Sequence, residues 1–198
     1  MPGAPRLILA TRNPHKTLEI RAMLGSRFEV LDATAFPGFP EIEETGTTFL
    51  ENARLKALGI SREIAGWVLS DDSGLEVDAL DGAPGVYSSS YGGEEGNYPR
   101  NNARLLAAMT GQTNRRARFR CTMVIARDGR EEAHFEGVVD GQIRDSQRGD
   151  QGFGYDPLFV PEGDHRTFAE LSQEEKNALS HRSRALEQVV RWLSLRVS

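Results

Sequence analysis

Cysteine is nearly absent from this chain, and a surplus of positive charge is absent altogether. One thiol, Cys121, in 198 residues excludes an intrachain disulfide. Its setting among alternating apolar residues, Phe119, Cys121, Met123 and Ile125, predicts a buried thiol and suits a reducing cytoplasm. Lys and Arg number 24 against 29 Asp and Glu, a formal net charge of −5. That balance argues against a protein built to coat nucleic acid, because neutralising phosphates takes an excess of cations. Long apolar runs are missing too, so no membrane partner is expected; residues 1 to 5, MPGAP, are too short and uncharged for the start of a secretory leader, and LILA is too short for its apolar stretch. Low-complexity tracts and long linkers are not found, and the length fits a single domain over 1–198 with two closely packed lobes.

What is present is an alternation of strand and helix signals. Leu7 to Ala10 reads as a strand, Thr11-Arg12-Asn13-Pro14-His15-Lys16 as a loop, and Ile20, Met23 and Leu24 as the buried side of a helix. A strand-to-helix loop points backbone N–H groups and the positive helix end at whatever binds there, and Arg12, Lys16 and the Thr11 hydroxyl add donors suited to phosphate. Phe28 to Leu31 predicts a second strand, and Phe36 to Gly46, with its prolines, glycines and acids, an irregular loop. Thr48 and Glu51 form a capping box ahead of a helix with Phe49, Ala53, Ala57, Ile60 and Ile64 on one face. Glu43 and Glu44, just before that helix, can serve its dipole or reach a divalent metal.

The stretch Leu69 to Leu75, LSDDSGL, reads as a strand ending in a turn at Gly74, with Asp71 and Asp72 at the strand end. Adjacent side chains on extended backbone point to opposite faces, so one aspartate is available for chemistry and the other for structure. Asp81 to Tyr91 predicts a long loop of the kind that can act as a lid, and Pro99 opens a helix with Ala103, Leu106 and Met109 buried. Asp128-Gly129 is a hairpin signal between two strands. Arg115, Arg116, Arg118 and Arg120 read as a solvated sheet face, since Arg118 and Arg120 alternate with Phe119 and Cys121. In Gly149 to Pro157 three glycines surround Phe153, Tyr155 and Asp156, allowing close approach of backbone and aromatic faces to a ligand. Ser172 and Glu175 form a second capping box, Lys176 follows, and His181-Arg182 reads from composition alone as an ordinary helix-surface pair.

Six motifs in order, LATRNPHK from Leu9, EETGTTFLENA from Glu43, SDDSGLEVDAL from Ser70, GAPGVYSSSY from Gly82, FGYDP from Phe153 and LSQEEKNALSHR from Leu171, span nearly the whole chain. Together they resemble the inosine triphosphate pyrophosphatase family, which hydrolyses non-standard purine nucleoside triphosphates. The resemblance implies an α/β fold with a long mixed sheet flanked by helices, two lobes with a cleft, a homodimer and Mg²⁺. It also implies that Thr11, Arg12, Asn13, Pro14, His15 and Lys16 hold the triphosphate, that Glu43 and Asp72 bind the metal, and that Asp72 is the proton acceptor. Ser73 corresponds to a substrate contact, and Phe153, Gly154, Tyr155 and Asp156 to the base-binding segment. Lys176 corresponds to a further substrate contact, and His181 and Arg182 to the pair near the purine 6-position. The chain departs from the pattern at His15, where many relatives carry glycine; a left-handed backbone there would strain histidine.

The implied reaction cleaves ITP, dITP or XTP to the monophosphate and pyrophosphate by attack of water at the α-phosphorus, without a covalent intermediate. Two rivals share most of these residues: a pyrophosphatase for other modified nucleotides, which needs a different base pocket, and a nucleotide-binding regulator, which needs no poised base.

Overall fold

The computed structural model describes residues 4–36, 38 and 42–196; of the loop expected over 36–46, positions 37 and 39–41 therefore lie outside the description. The elements run β1 (Arg6–Leu9), α1 (Pro14–Leu24), β2 (Glu29–Asp32), α2 (Phe49–Glu63), β3 (Trp67–Val77), α3 (Tyr98–Ala108), β4 (Arg116–Arg127), β5 (Arg130–Ile143), β6 (Phe159–Pro161), α4 (Gln173–Leu179) and α5 (His181–Ser194). They form an α/β fold on a six-stranded sheet of order β2-β1-β3-β4-β5-β6. The sheet is mixed: β1 runs parallel to both β2 and β3, whereas β5 and β6 are antiparallel. Among the described residues no helix is long and apolar enough to cross a membrane.

The chain divides into two compact units, one of residues 1–72, 121–137 and 183–198 and the other of 73–120 and 138–182, so β3, β4 and β5 each contribute to both. In the first unit, alternation along β1 splits the core. Leu7 and Leu9 pack with Ile20, Leu24, Leu186 and Val189 of α1 and α5, while Ile8 and Ala10 pack with Ile60 of α2. The second unit has one core, in which Phe119, Phe159 and Phe168 meet at ring distances of 4.7 to 5.8 Å.

Local chemistry sets most boundaries as expected. Both capping boxes form, Thr48 with Glu51 at α2 and Ser172 with Glu175 at α4. Asp128 and Gly129, at φ +51° and +74°, make the turn between β4 and β5, both residues left-handed as a tight hairpin requires. Arg118 and Arg120 lie on the sheet face opposite Phe119, ion-paired with Asp78 and Glu76, while Arg115 clamps the carbonyls of Ile143, Met109 and Arg144.

Two expectations are overturned. Ser70 to Gly74 is not a turn after a strand but the middle of the eleven-residue β3. Its parallel neighbour β1 stops at Leu9, opposite Leu69, so Asp71 and Asp72 lie beyond the carboxyl end of β1 while remaining extended. The second correction concerns α3, which buries Asn101, Asn102 and Leu105, leaves Ala103 exposed and Leu106 half-buried, and is followed by Met109, buried as expected. Two hydrogen-bonded asparagines turn inward, which an apolar pattern cannot register.

Candidate functional site

Where β1 ends, the chain leaves the sheet and enters α1, and β3 continues past it; in a parallel sheet this is where ligands are received. Thr11 Oγ1 accepts the Asn13 N–H at 3.1 Å, and Asn13 Oδ1 caps α1 by accepting from the His15 and Lys16 amides at 3.0 and 3.4 Å. Pro14 occupies the first turn, where its missing N–H loses nothing. Arg12 and His15 are exposed. His15 is helical, and the described non-glycine residues with positive φ are Asp81 and Asp128, so this position makes no demand for glycine.

Two lysines from different helices meet the aspartates of β3. Lys16 Nζ lies 2.5 Å from Asp71 Oδ1, and Asp71 Oδ2 accepts from the Cys121 thiol at 3.1 Å. Lys56 Nζ reaches Asp72 Oδ1 at 3.2 Å, Glu44 Oε2 at 3.0 Å and the Asp71 carbonyl at 3.0 Å. The aspartates thus divide as the pleat requires, each with its own lysine. Asp72 is 7% exposed, and its Oδ2 is buried with no hydrogen-bond donor among the described residues. Burial pushes its pKa up to about 6, with Lys56 and Lys16 pulling down and Glu44 and Asp71 pushing further up. Burial also works against the Lys56 charge, but Asp72, Glu44 and Asp71 outweigh it and hold that lysine above its ordinary value.

The acidic segment is held against α2 at both ends. The Ile42 side chain lies against α2 at Gly59, where an added Cβ would stand 2.8 Å from Ile42 Cδ1, and the Gly46 N–H donates to Asn52 Oδ1 at 2.7 Å. Glu43 is exposed within this segment, and it is Glu44 that joins Asp72 through Lys56. Sequence alone weighs Glu44 as a metal ligand and leaves open which of Asp71 and Asp72 is chemical, but it gives Lys56 and Cys121 no part in a site. Lys56 carried a signal: it falls among Asn52, Ala53, Ala57 and Ile60, a charge inside the buried stripe of α2. No signal marked the Cys121–Asp71 contact, between residues 50 apart.

The second unit assembles the remaining candidates. Asp156 Oδ2 accepts from Lys176 Nζ at 2.6 Å and from the Phe153 N–H at 2.8 Å, and a Cβ at Gly152 (φ +74°) would stand 2.1 Å from that same oxygen. Lys176 Nζ and the Arg182 guanidinium lie 5.1 and 5.7 Å from the Phe153 ring centroid. Tyr155 is buried and donates to the Ser88 carbonyl at 2.9 Å, and Gly154 accepts from Asn102 at 2.9 Å. Arg182 donates to Ser73 Oγ at 2.9 Å, while the His181 ring stacks on Phe119 at 4.7 Å. Both His181 and Arg182 are buried, at 4% and 2% exposure, and so are not the surface pair that composition alone suggested.

Residues 7–192 match the Ham1 family. The chain belongs to the Ham1 family. An Exiguobacterium protein named dITP/XTP pyrophosphatase is 49% identical over 185 residues, covering 93% of this chain and 94% of its own length. A Geobacter sulfurreducens protein of the same name is 50% identical over 185 residues, covering 91% and 92%. The solved structure of a HAM1 protein from Coxiella burnetii superposes with a TM-score of 0.87 at 38% identity, covering 96% of this chain and 98% of that one. The resemblance read from the six motifs is thereby borne out, as is the α/β fold that it implied.

Whether the first-unit residues of this Ham1 family member suit a metal can be judged from their donors. Among the described residues no group of three or more His, Cys, Asp or Glu side chains forms a ready cage. Magnesium does not need one, because it keeps waters and binds through one or two carboxylates together with substrate phosphates. Asp72 Oδ2, an anionic oxygen without a donor, fits that requirement.

Proposed function

We propose that this protein hydrolyses non-standard purine nucleoside triphosphates, dITP, XTP and ITP, to the monophosphate and pyrophosphate. The buried, donor-less Oδ2 of Asp72 is the observation that carries the reading: a carboxylate poised near neutrality, flanked by lysines, is what proton abstraction beside a polyanion requires. The names of the relatives support the same substrate class. Asp72 and Glu43, with Glu44 next to it, are the residues proposed to hold Mg²⁺. Bound there, the cation supplies charge neutralisation on the phosphates. Lys16 and Lys56 add to that neutralisation, and the loop 11–16 with the first turn of α1 receives phosphate oxygens. Water attacks the α-phosphorus, Asp72 takes its proton, the bond to the β-phosphate oxygen breaks, and pyrophosphate leaves.

In the same proposal the second unit reads the base. Phe153 offers a stacking face, and Arg182 a donor to O6, which hypoxanthine and xanthine present and adenine replaces with an amino group. A site built around that donor rejects adenine, because two donors facing each other leave both unpaired. A cytoplasmic homodimer is part of the proposal, carried by the family resemblance. Initial rates of pyrophosphate release from dITP, XTP, ITP, dATP and dGTP, with and without Mg²⁺, test the reading. Mg²⁺-dependent release from the first three at rates well above dATP is expected. No release from any of them would sink it.

A further inference from the structure

The first turns of α3 hold the glycine-rich segment 149–157 and the loop 88–92, and they do so with side chains unusual for a buried helix face. Asn101 and Asn102 are 1% and 3% exposed, although asparagine is a poor helix former that ordinarily stays at caps and turns. Asn101 accepts the Gly92 N–H at 2.6 Å and donates to the Ser89 carbonyl at 2.9 Å. Asn102 Nδ2 donates to the Gly154 carbonyl at 2.9 Å. Its Oδ1 is buried and meets no donor among the described residues. Leucine would fill the same space without burying an unsatisfied oxygen, so packing alone does not account for asparagine here.

Gly154 explains the need. It sits at φ +65° between Phe153 and Tyr155, and glycine imposes little preference of its own on the peptide that follows. On one side, Asp156 holds the Phe153 amide; on the other, Tyr155 is tied to Ser88. The intervening carbonyl is held by Asn102. At the start of the same helix the Tyr98 ring lies 5.8 Å from that of Phe153. We propose that Asn102 is a positioning residue for base recognition, locking the Gly154 peptide so that Phe153 presents its ring in the orientation a purine requires. The inference rests on the base-reading role given above to the 153–156 segment.

Calorimetric titration in Mg²⁺ with two partial ligands tests it: inosine monophosphate, which carries the base, and inorganic tripolyphosphate, which does not. Asn102→Asp keeps the shape but replaces the donor with an acceptor facing the Gly154 oxygen. It should weaken inosine monophosphate binding by about 10- to 100-fold and leave tripolyphosphate within about twofold. The KM for dITP should rise correspondingly while kcat changes little, a split that general loosening of the fold would not produce. Asn102→Ser, too short to reach Gly154 and uncharged, should give the same pattern and serves if the aspartate variant does not fold. Unchanged inosine monophosphate affinity in a folded variant, or equal weakening of both ligands, overturns the role of Asn102 and leaves the base assignment standing. Failure of the unsubstituted protein to bind inosine monophosphate overturns both.

Discussion

Lys56 and Lys176 are both helix lysines with little exposed surface, and each meets an aspartate, yet they keep different electrostatic company. Lys176 makes a 2.6 Å contact with Asp156, an oxygen that also accepts the Phe153 amide, and its ammonium lies 5.1 and 5.9 Å from the Phe153 and Phe168 ring centroids. Lys56 is shared among Asp72, Glu44 and the Asp71 carbonyl at 3.0 to 3.2 Å. Counting Lys16, two ammonium groups there face the three carboxylates of Glu44, Asp71 and Asp72, and burial raises the Asp72 pKa against the pull of both lysines. A short, specific pair holds a segment in one shape. A loose cluster with an acid to spare can take in a cation and a polyanion and redistribute its contacts.

The largest expected effect strikes the loose cluster. Asp72→Asn should lower turnover of dITP by about 10² to 10⁴ while thermal unfolding shows the fold intact; near-normal pyrophosphate release would remove Asp72 as the base. Stability should rank the two lysines the other way. Lys176→Met strands a buried carboxylate and should cost about 3–5 kcal/mol in urea unfolding. Lys56→Met should cost less than about 2 kcal/mol, because Asp72 can take up a proton instead of remaining a lone buried charge. A larger loss for Lys56→Met would abolish the contrast.

Protonation gives a smaller, graded effect. With Asp72 raised from 3.8 to about 6, the folded protein holds a proton between those values that the unfolded chain releases. Its contribution to stability in metal-free protein therefore falls as pH rises through that window, and the fall should vanish in Asp72→Asn. Activity runs opposite, since the base must be ionised: at limiting Mg²⁺ the rate should drop about tenfold per pH unit below 6. Raising Mg²⁺ should move that limb to lower pH, because cation binding favours the carboxylate; a limb that ignores Mg²⁺ would separate metal from Asp72. Smallest of all, Thr48→Ala and Ser172→Ala should each cost about 1 kcal/mol by denaturant unfolding. Capping is local, so the two units should not differ there.

Much of this architecture was legible in the chain. A continuous apolar run located β1, period-3.6 and period-2 patterns located α1, α2, β4 and α5, and the Thr48 and Ser172 boxes marked where α2 and α4 start. The order of the six motifs alone points to the family. The misses share a cause. Gly74 and two aspartates look like a turn locally, yet sheet pairing keeps the backbone extended through them. Asn101 and Asn102 look like solvent-facing residues, but partners on distant loops satisfy or use their amides. His181 and Arg182 look like surface decoration, and Phe119 and Ser73 bury them.

By itself, then, the order of residues determined the helices, the caps, the hairpin turn and the family, because propensity, capping and periodicity act over a few neighbouring positions. Tertiary structure decided which lysine meets which aspartate, that Asp72 stays protonated to about pH 6, and that Asn102 faces Gly154. Desolvation and Coulomb energies depend on distances between groups tens of residues apart, and those distances exist only once the chain has packed.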